Sequence, residues 1–213
     1  MTTLGLEFSS EQRSVAVTRD GAIVGSAMAA GGRETRAFAM IEEALEQARV
    51  RREEVECLAV GVGPGSYTGI RIAISIAQGW QLARGIRLLG VSSAECLAEQ
   101  AKERGLSGIV RIVIDAQRGE FYLAQYQISK AGVQLSEPLR IVSAKDVAPD
   151  AQKVLVGPDV STFDSNAIRM FPEAAALVRL AVHRNDFIAG EKLEPIYLRE
   201  TTFVKAPPPR TIS

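Results

Sequence analysis

The chain has 213 residues, 46% of them hydrophobic and 23% charged, enough apolar material for one large or two small buried cores. Lysine and arginine number 25 against 25 aspartate and glutamate, so there is no basic excess to wrap a phosphate backbone unaided, and any RNA would have to be gripped by something else. The N-terminus lacks a basic, apolar leader and no uncharged run reaches the roughly 18 residues of a membrane span, so the expected protein is cytoplasmic and has no membrane partner.

Residues 3–8 alternate, with Leu4, Leu6 and Phe8 on one face, and residues 14–18 repeat the habit. Asp20-Gly21 then gives a strong hairpin signal, with residues 22–27 as the returning strand. From residue 33 to residue 50 the period becomes helical: Ala37, Phe38, Ile41, Leu45 and Ala48 share a face, while Glu42, Glu43, Glu46 and Arg49 fill the other. Residues 57–62 are a short apolar run suited to a buried parallel strand. Cys57 and the distant Cys96 are the two cysteines; each stands among apolar neighbours without a CxxC pair, which reads as buried thiols. A glycine-rich loop at residues 63–67 leads to a helix over about 68–84, a strand at 87–91, and a further helix capped at Ser92 or Ser93.

Hairpin-rich strands followed by alternating strand and helix fit one compact arrangement, an α/β ribonuclease-H-like half-domain. The order then begins again. Residues 109–114 form an apolar strand ending at Asp115, as the first strand ends at Glu7; a tight turn is expected at Arg118-Gly119, and residues 121–128 run back. Two weakly similar halves, 1–105 and 106–213, suggest a duplication with the second half reduced. After a strand at 153–156, that half offers helices over 161–170 and 173–189, then a tail through Pro207-Pro208-Pro209 that cannot be helical. The segment 195–199 is a candidate to pack back on the first half. Two tandem halves of this kind are the actin/hexokinase-like superfold.

The densest glycine cluster is Gly61-Val-Gly63-Pro64-Gly65-Ser66-Tyr67-Thr68-Gly69, placed where backbone N–H groups between a strand and a helix commonly take anions. It fails three templates. A dinucleotide fingerprint needs glycine where Ser66 stands, a Walker A loop needs a following lysine, and a nucleophile elbow needs glycine at the position of Pro64. The run from Gly63 to Ile72, which includes Arg71, instead resembles the signature of the TsaB family, once described as glycoprotease-like. Further matches in order are Leu89-Gly-Val-Ser-Ser-Ala-Glu95, Asp115-Ala-Gln-Arg118-Gly-Glu-Phe-Tyr122 and Pro195-Ile-Tyr-Leu-Arg199, so the resemblance covers most of the chain. Where that family usually has Asp-Thr-Ser after the first strand, this chain has Glu7-Phe8-Ser9. Where it has a histidine near the start of the first helix, Arg33-Glu34-Thr35-Arg36 stands. Both departures argue against conventional phosphate binding by the N-terminal loop.

The resemblance implies a cytoplasmic component of the machinery that installs threonylcarbamoyladenosine beside the anticodon of certain tRNAs. In that system TsaD carries the metal and performs the transfer, the P-loop ATPase TsaE joins the complex, and TsaB supports TsaD as a heterodimer or pairs with itself when alone. This chain would then meet tRNA only indirectly and need no intrinsic cofactor, leaving ATP or ADP at a shared interface as the one expected nucleotide role. The residues agree that catalysis lies elsewhere. A metal site of the catalytic relative's kind needs two histidines on one helix face, and the sequence holds one, His183.

Glu7 and Asp115, with Arg118 beside the second, are the candidates for a nucleotide-linked role, since kinases of this superfold hold acids at these strand ends; the alternative is a carboxylate bonded to a neighbouring turn. Arg118 and Glu120 read equally as the polar rim of a hairpin. The second helix carries the partner argument. Ile70, Ile72, Ala73, Ile74, Ile76, Ala77, Trp80 and Leu82 cover most of its circumference, and Ile70, Ile72, Ala73, Ile76, Ala77 and Trp80, with Phe38 and Ile41 of the first helix, would form a bundle with a partner. Burial inside the chain's own fold is the competing account. So too a small ATP-dependent phosphotransferase competes with the partner subunit, and a protease is the weakest reading because no nucleophile and base can be assembled around one histidine.

Overall fold

A computed structural model describes residues 1–30, 36–147, 150 and 152–199. The first half comprises strands β1 (Thr2–Glu7), β2 (Gln12–Arg19) and β3 (Ala22–Ala30), helix α1 (Ala37–Ala48), strand β4 (Cys57–Gly61), helix α2 (Tyr67–Arg84), strand β5 (Arg87–Val91) and helix α3 (Ser93–Glu103). The second comprises β6 (Gly108–Asp115), β7 (Glu120–Ser129), β8 (Gly132–Ser143), β9 (Lys153–Gly157), the two-residue β10 (Ile168–Arg169) and helix α4 (Ala174–Val182). The strand orders are β3-β2-β1-β4-β5 and β8-β7-β6-β9-β10. In each sheet the first three strands are antiparallel and the next two parallel. Two copies of this strand order in one chain are two ribonuclease-H-like halves, the actin/hexokinase-like plan read from the sequence.

The second half is the reduced one. Where α1 and α2 stand in the first, the described residues of the second form only the short 3-10 turns Ala144–Val147 and Val160–Thr162. The helix expected over residues 161–170 is therefore such a turn followed by β10, and the helix expected over 173–189 ends at Val182. Strand β8 has no clean apolar alternation and many exposed polar residues, so its sequence carries no strand signal. The expected start of α1 at residue 33 and the proline tail lie outside the described residues.

Strand β1 is buried on both faces, not one. Leu4, Leu6 and Phe8 join the core beneath α1 and α2, which includes Ile41, Leu45, Ile70 and Ile74. The opposite face lies against α4, whose Ala174, Leu177 and Val178 form a separate cluster with Cys57, Leu89 and Cys96. Helix α4, though it follows the second sheet, thus packs on the first. Helix α3, which follows the first sheet, packs through Leu97, Ala98 and Ala101 on the second. This exchange welds the halves together. On the other side of the first sheet α1 crosses β3 at Gly25, where any Cβ would collide with the Ala44 carbonyl oxygen.

Candidate functional site

Glu7 ends β1, where the chain turns toward the cleft between the halves. Its carboxyl does not reach that cleft. It is fully buried, accepting from the Ser9 N–H at 2.9 Å and the Ser93 hydroxyl at 3.0 Å. Burial raises it above the ordinary carboxylate range, and the bonds from Ser9 and Ser93 pull the other way and lose. The nucleotide-linked candidacy read for it from the sequence gives way to the alternative, a carboxylate bonded to a neighbouring turn: the longer glutamate folds inward under β4, against Gly61, where a Cβ would meet its oxygens.

The signature loop covers this carboxyl. The Ser66 N–H donates to the Ser9 carbonyl at 2.6 Å, and the Ser93 N–H donates to the Gly63 carbonyl at 2.8 Å. Gly65 has φ +144°, and a Cβ there would strike the Ser9 carbonyl oxygen, so the loop lies flat on the β1–β2 turn because it is glycine. Gly63-Pro64 leads to Ser66, which caps α2 by accepting from the Gly69 N–H at 3.2 Å, and Gly69 in turn lies against the Phe8 carbonyl. Tyr67 and Thr68 open α2 on the exposed side. The loop is a structural joint between β1, β4, α2 and α3, and much of its backbone polarity is spent inside the protein.

A cleft of about 500 Å³ separates the halves. On one wall are Ser9, Glu11, Gly65, Ser66, Tyr67 and Arg71; on the other are Asp115, Gln117, Tyr122 and Asp159, with Pro195, Ile196, Tyr197 and Arg199 across its edge. Asp115 accepts from the Gln117 N–H and from its side-chain amide, both at 2.7 Å, which is the turn-bonded alternative. Arg118, at φ 62°, sits exposed in the hairpin turn and does not line the cleft, so its grouping with Glu7 and Asp115 is corrected. Asp159 and Glu11 were missed. β9 ends at Gly157 and runs straight into Pro158-Asp159, while Gly63-Pro64-Gly65 begins two residues beyond the end of β4, so the duplication was the available signal. Burial, then the neighbouring Asp115 and Glu11, raise the Asp159 carboxyl against the opposing pull of Arg169, so a phosphate entering here would face three acids beside Arg71 and Arg199. Among the described residues no three histidine, cysteine, aspartate or glutamate side chains converge to hold a metal ion.

The second concavity is an apolar groove of about 580 Å³ between α1 and the outer face of α2, lined by Ala37, Phe38, Tyr67, Arg71, Ile72, Ser75, Ile76, Gly79 and Trp80. Phe38 is 67% exposed, Ile72 and Trp80 are half-buried, and Ile76 shows only an edge. Ile41, Ile70, Ala73 and Ala77, expected on the same surface, are instead buried in the chain's own core. The reason is that α2 turns Ile70, Ala73 and Ala77 onto β4 and β1, and α1 turns Ile41 into the same core, with the short turn Gly190–Lys192 and Leu193 covering part of the flank of α2. The intramolecular account thus explains the inner face of α2, and the groove is what it leaves uncovered. At one end of the groove the Arg71 guanidinium lies 3.2 Å from the centroid of the Tyr67 ring and 5.2 Å from that of Tyr197.

His183 is exposed at the end of α4, and both cysteines are fully buried.

A family model described as TsaD, tRNA N6-adenosine threonylcarbamoyltransferase, matches residues 26–165. The TsaB protein of Escherichia coli, a tRNA threonylcarbamoyladenosine biosynthesis protein, is 28% identical across 98% of this chain and 99% of its own length. That of Haemophilus influenzae is 29% identical across 97% and 98%. The solved YeaZ structure from Pseudomonas aeruginosa superposes with a TM-score of 0.81 at 28% identity, covering 92% of this chain and all of that one. A second structure from that organism, of a protein with similarity to peptidase YEAZ, gives 0.83 over 93% of this chain. With a fold of the same plan, the same end-to-end coverage and a match over well more than half its length, the chain belongs to the TsaD-like threonylcarbamoyltransferase family and, within it, to the TsaB (YeaZ) proteins.

Proposed function

We propose that the chain is a non-catalytic subunit of the threonylcarbamoyladenosine machinery, and that it supports a TsaD protein by seating one of that protein's helices in the α1–α2 groove. The observation that carries this is Gly79. It lies in the interior of an 18-residue helix, where glycine costs about 1 kcal/mol relative to alanine, yet a Cβ built there meets nothing within 4 Å. The fold of this chain therefore has no use for a glycine at that position. A helix laid along the groove does, since it approaches closely over Gly79 and Ser75 and covers Phe38, Ile72 and Trp80.

The same groove would serve a second copy when TsaD is absent, and TsaE and tRNA would be met through the complex in the cytoplasm. The phosphotransferase alternative loses its first acid, because Glu7 is buried. Nucleotide at a shared interface stays part of the proposal only through the partner.

The test is Gly79→Ala and Gly79→Arg, each mixed with the cognate TsaD and followed by gel filtration and calorimetry. Gly79→Ala should raise monomer stability by about 1 kcal/mol, and Gly79→Arg should fold normally but abolish complex formation. Wild-type affinity in Gly79→Arg would refute the groove as the docking face.

A further inference from the structure

Residues 188–199 run from beyond α4 along the first half and on to the second as a strap. The Ile188 N–H donates to the Leu88 carbonyl at 3.0 Å, the Leu193 side chain sinks into the first core, and the Ile196 N–H donates to the Val62 carbonyl at 2.9 Å. This part belongs to the first half and is held by backbone. Beyond it Tyr197 faces Arg71 at the cleft edge, and Arg199 crosses to the second half. There its guanidinium donates to the Ala116 carbonyl at 3.0 Å and to Glu120 Oε2 at 2.6 Å. A single guanidinium nitrogen, Arg199 Nη2, thus fastens the strap to the β6–β7 turn.

The strap's exposed product is the stack Tyr67–Arg71–Tyr197, which stands where the cleft meets the groove. Arg71 spends one donor, at 3.0 Å, on the Tyr67 carbonyl. A guanidinium carries five N–H groups, so a carboxylate brought by a partner finds donors already oriented between two rings. Arginine and tyrosine in such settings dominate interface energetics.

We propose that Arg199 is a positioning residue of the docking surface: its grip on the Ala116–Glu120 turn fixes the end of the strap and, through Tyr197, holds Arg71 ready for an acidic side chain of the partner. The proposal rests on the groove as the docking face. Loss of Arg199 frees the second half from the strap without touching the first core, so Tyr197 loses its fixed place while Phe38, Ile72 and Trp80 keep theirs.

The experiment uses the full chain with Arg199→Ala, Arg199→Lys and Glu120→Gln, in two parts. Spin labels on Leu198→Cys and Lys130→Cys, both exposed, one on the strap and one in the second half, report the spread of distances between the strap and the second half; native Cys57 and Cys96 are fully buried and take no label. Arg199→Ala should broaden that distribution, Arg199→Lys should broaden it less, and the thermal midpoint should stay near wild type. Calorimetry with the cognate TsaD should then show affinity about tenfold weaker for Arg199→Ala, with Arg199→Lys recovering part. An unchanged distance distribution overturns the latch. A broadened distribution with wild-type affinity overturns its link to docking. Failure of the wild type itself to bind refutes the docking face, and with it that link, while the distance result still decides the latch.

Discussion

Glu7→Gln is expected to make the protein more stable relative to wild type as the pH rises. The carboxyl has no exposure and two hydrogen bonds, from Ser9 and Ser93. Ser93 opens α3, and a helix N-terminus favours a nearby carboxylate by at most about 2 kcal/mol. Taking an ion of that size out of water costs several kcal/mol, so burial wins and the group sits above its ordinary value of 4.5. A group raised in the fold holds its proton more tightly there than in the unfolded chain. Stability is therefore fully present below the unfolded value and falls as pH rises from there to the folded value.

Glutamine keeps the shape. Its Oε1 accepts the Ser9 N–H, and its Nε2 donates to the Ser93 hydroxyl, which turns from donor to acceptor. Having no charged form, the variant should gain on the order of 1–3 kcal/mol over wild type at neutrality. Urea unfolding of both proteins from about pH 4 to about pH 8 measures this directly. If the two curves stay parallel, or the variant loses ground as the pH climbs, Glu7 is ionised in the fold and the burial argument is wrong.

Burial also pushes the Cys57 thiol up to about 11 and the Cys96 thiol well above its ordinary range, so neither should react with a thiol reagent near pH 8 until the protein is unfolded. Rapid labelling of the native chain would contradict the tight packing of α4 on the first sheet. Gly25→Val forces α1 away from β3 against the Ala44 carbonyl, and thermal unfolding should show a loss of at least about 3 kcal/mol. A midpoint equal to wild type would mean the crossing is looser than it stands here.

Much of the fold was legible because each half repeats a short grammar. The Asp20-Gly21 turn, the helical period from Ala37 onward, the Ser92 cap and the apolar runs ending at Glu7 and Asp115 all came out where local chemistry put them. The failures share a cause. Residues 161–170 carry apolar side chains at helical spacing, but β9 offers a free parallel edge that draws Ile168 and Arg169 into a strand. Arg118 was grouped with Asp115 from adjacency in sequence, whereas the positive φ of the turn swings it outward and leaves Arg199, eighty residues on, to hold the same turn.

By itself the sequence determined that the chain holds two related halves and that its single histidine cannot found a metal pair. Those follow from composition, period and turn chemistry, which act over a few residues. Only the tertiary structure decided which faces of α2 are consumed inside, that α3 and α4 exchange sheets, and that Glu7 is buried while Asp159 reaches the cleft. Each of these depends on which segment, distant in the chain, arrives to cover a given surface, and pairwise coverage is a property of packing in space that no local pattern encodes.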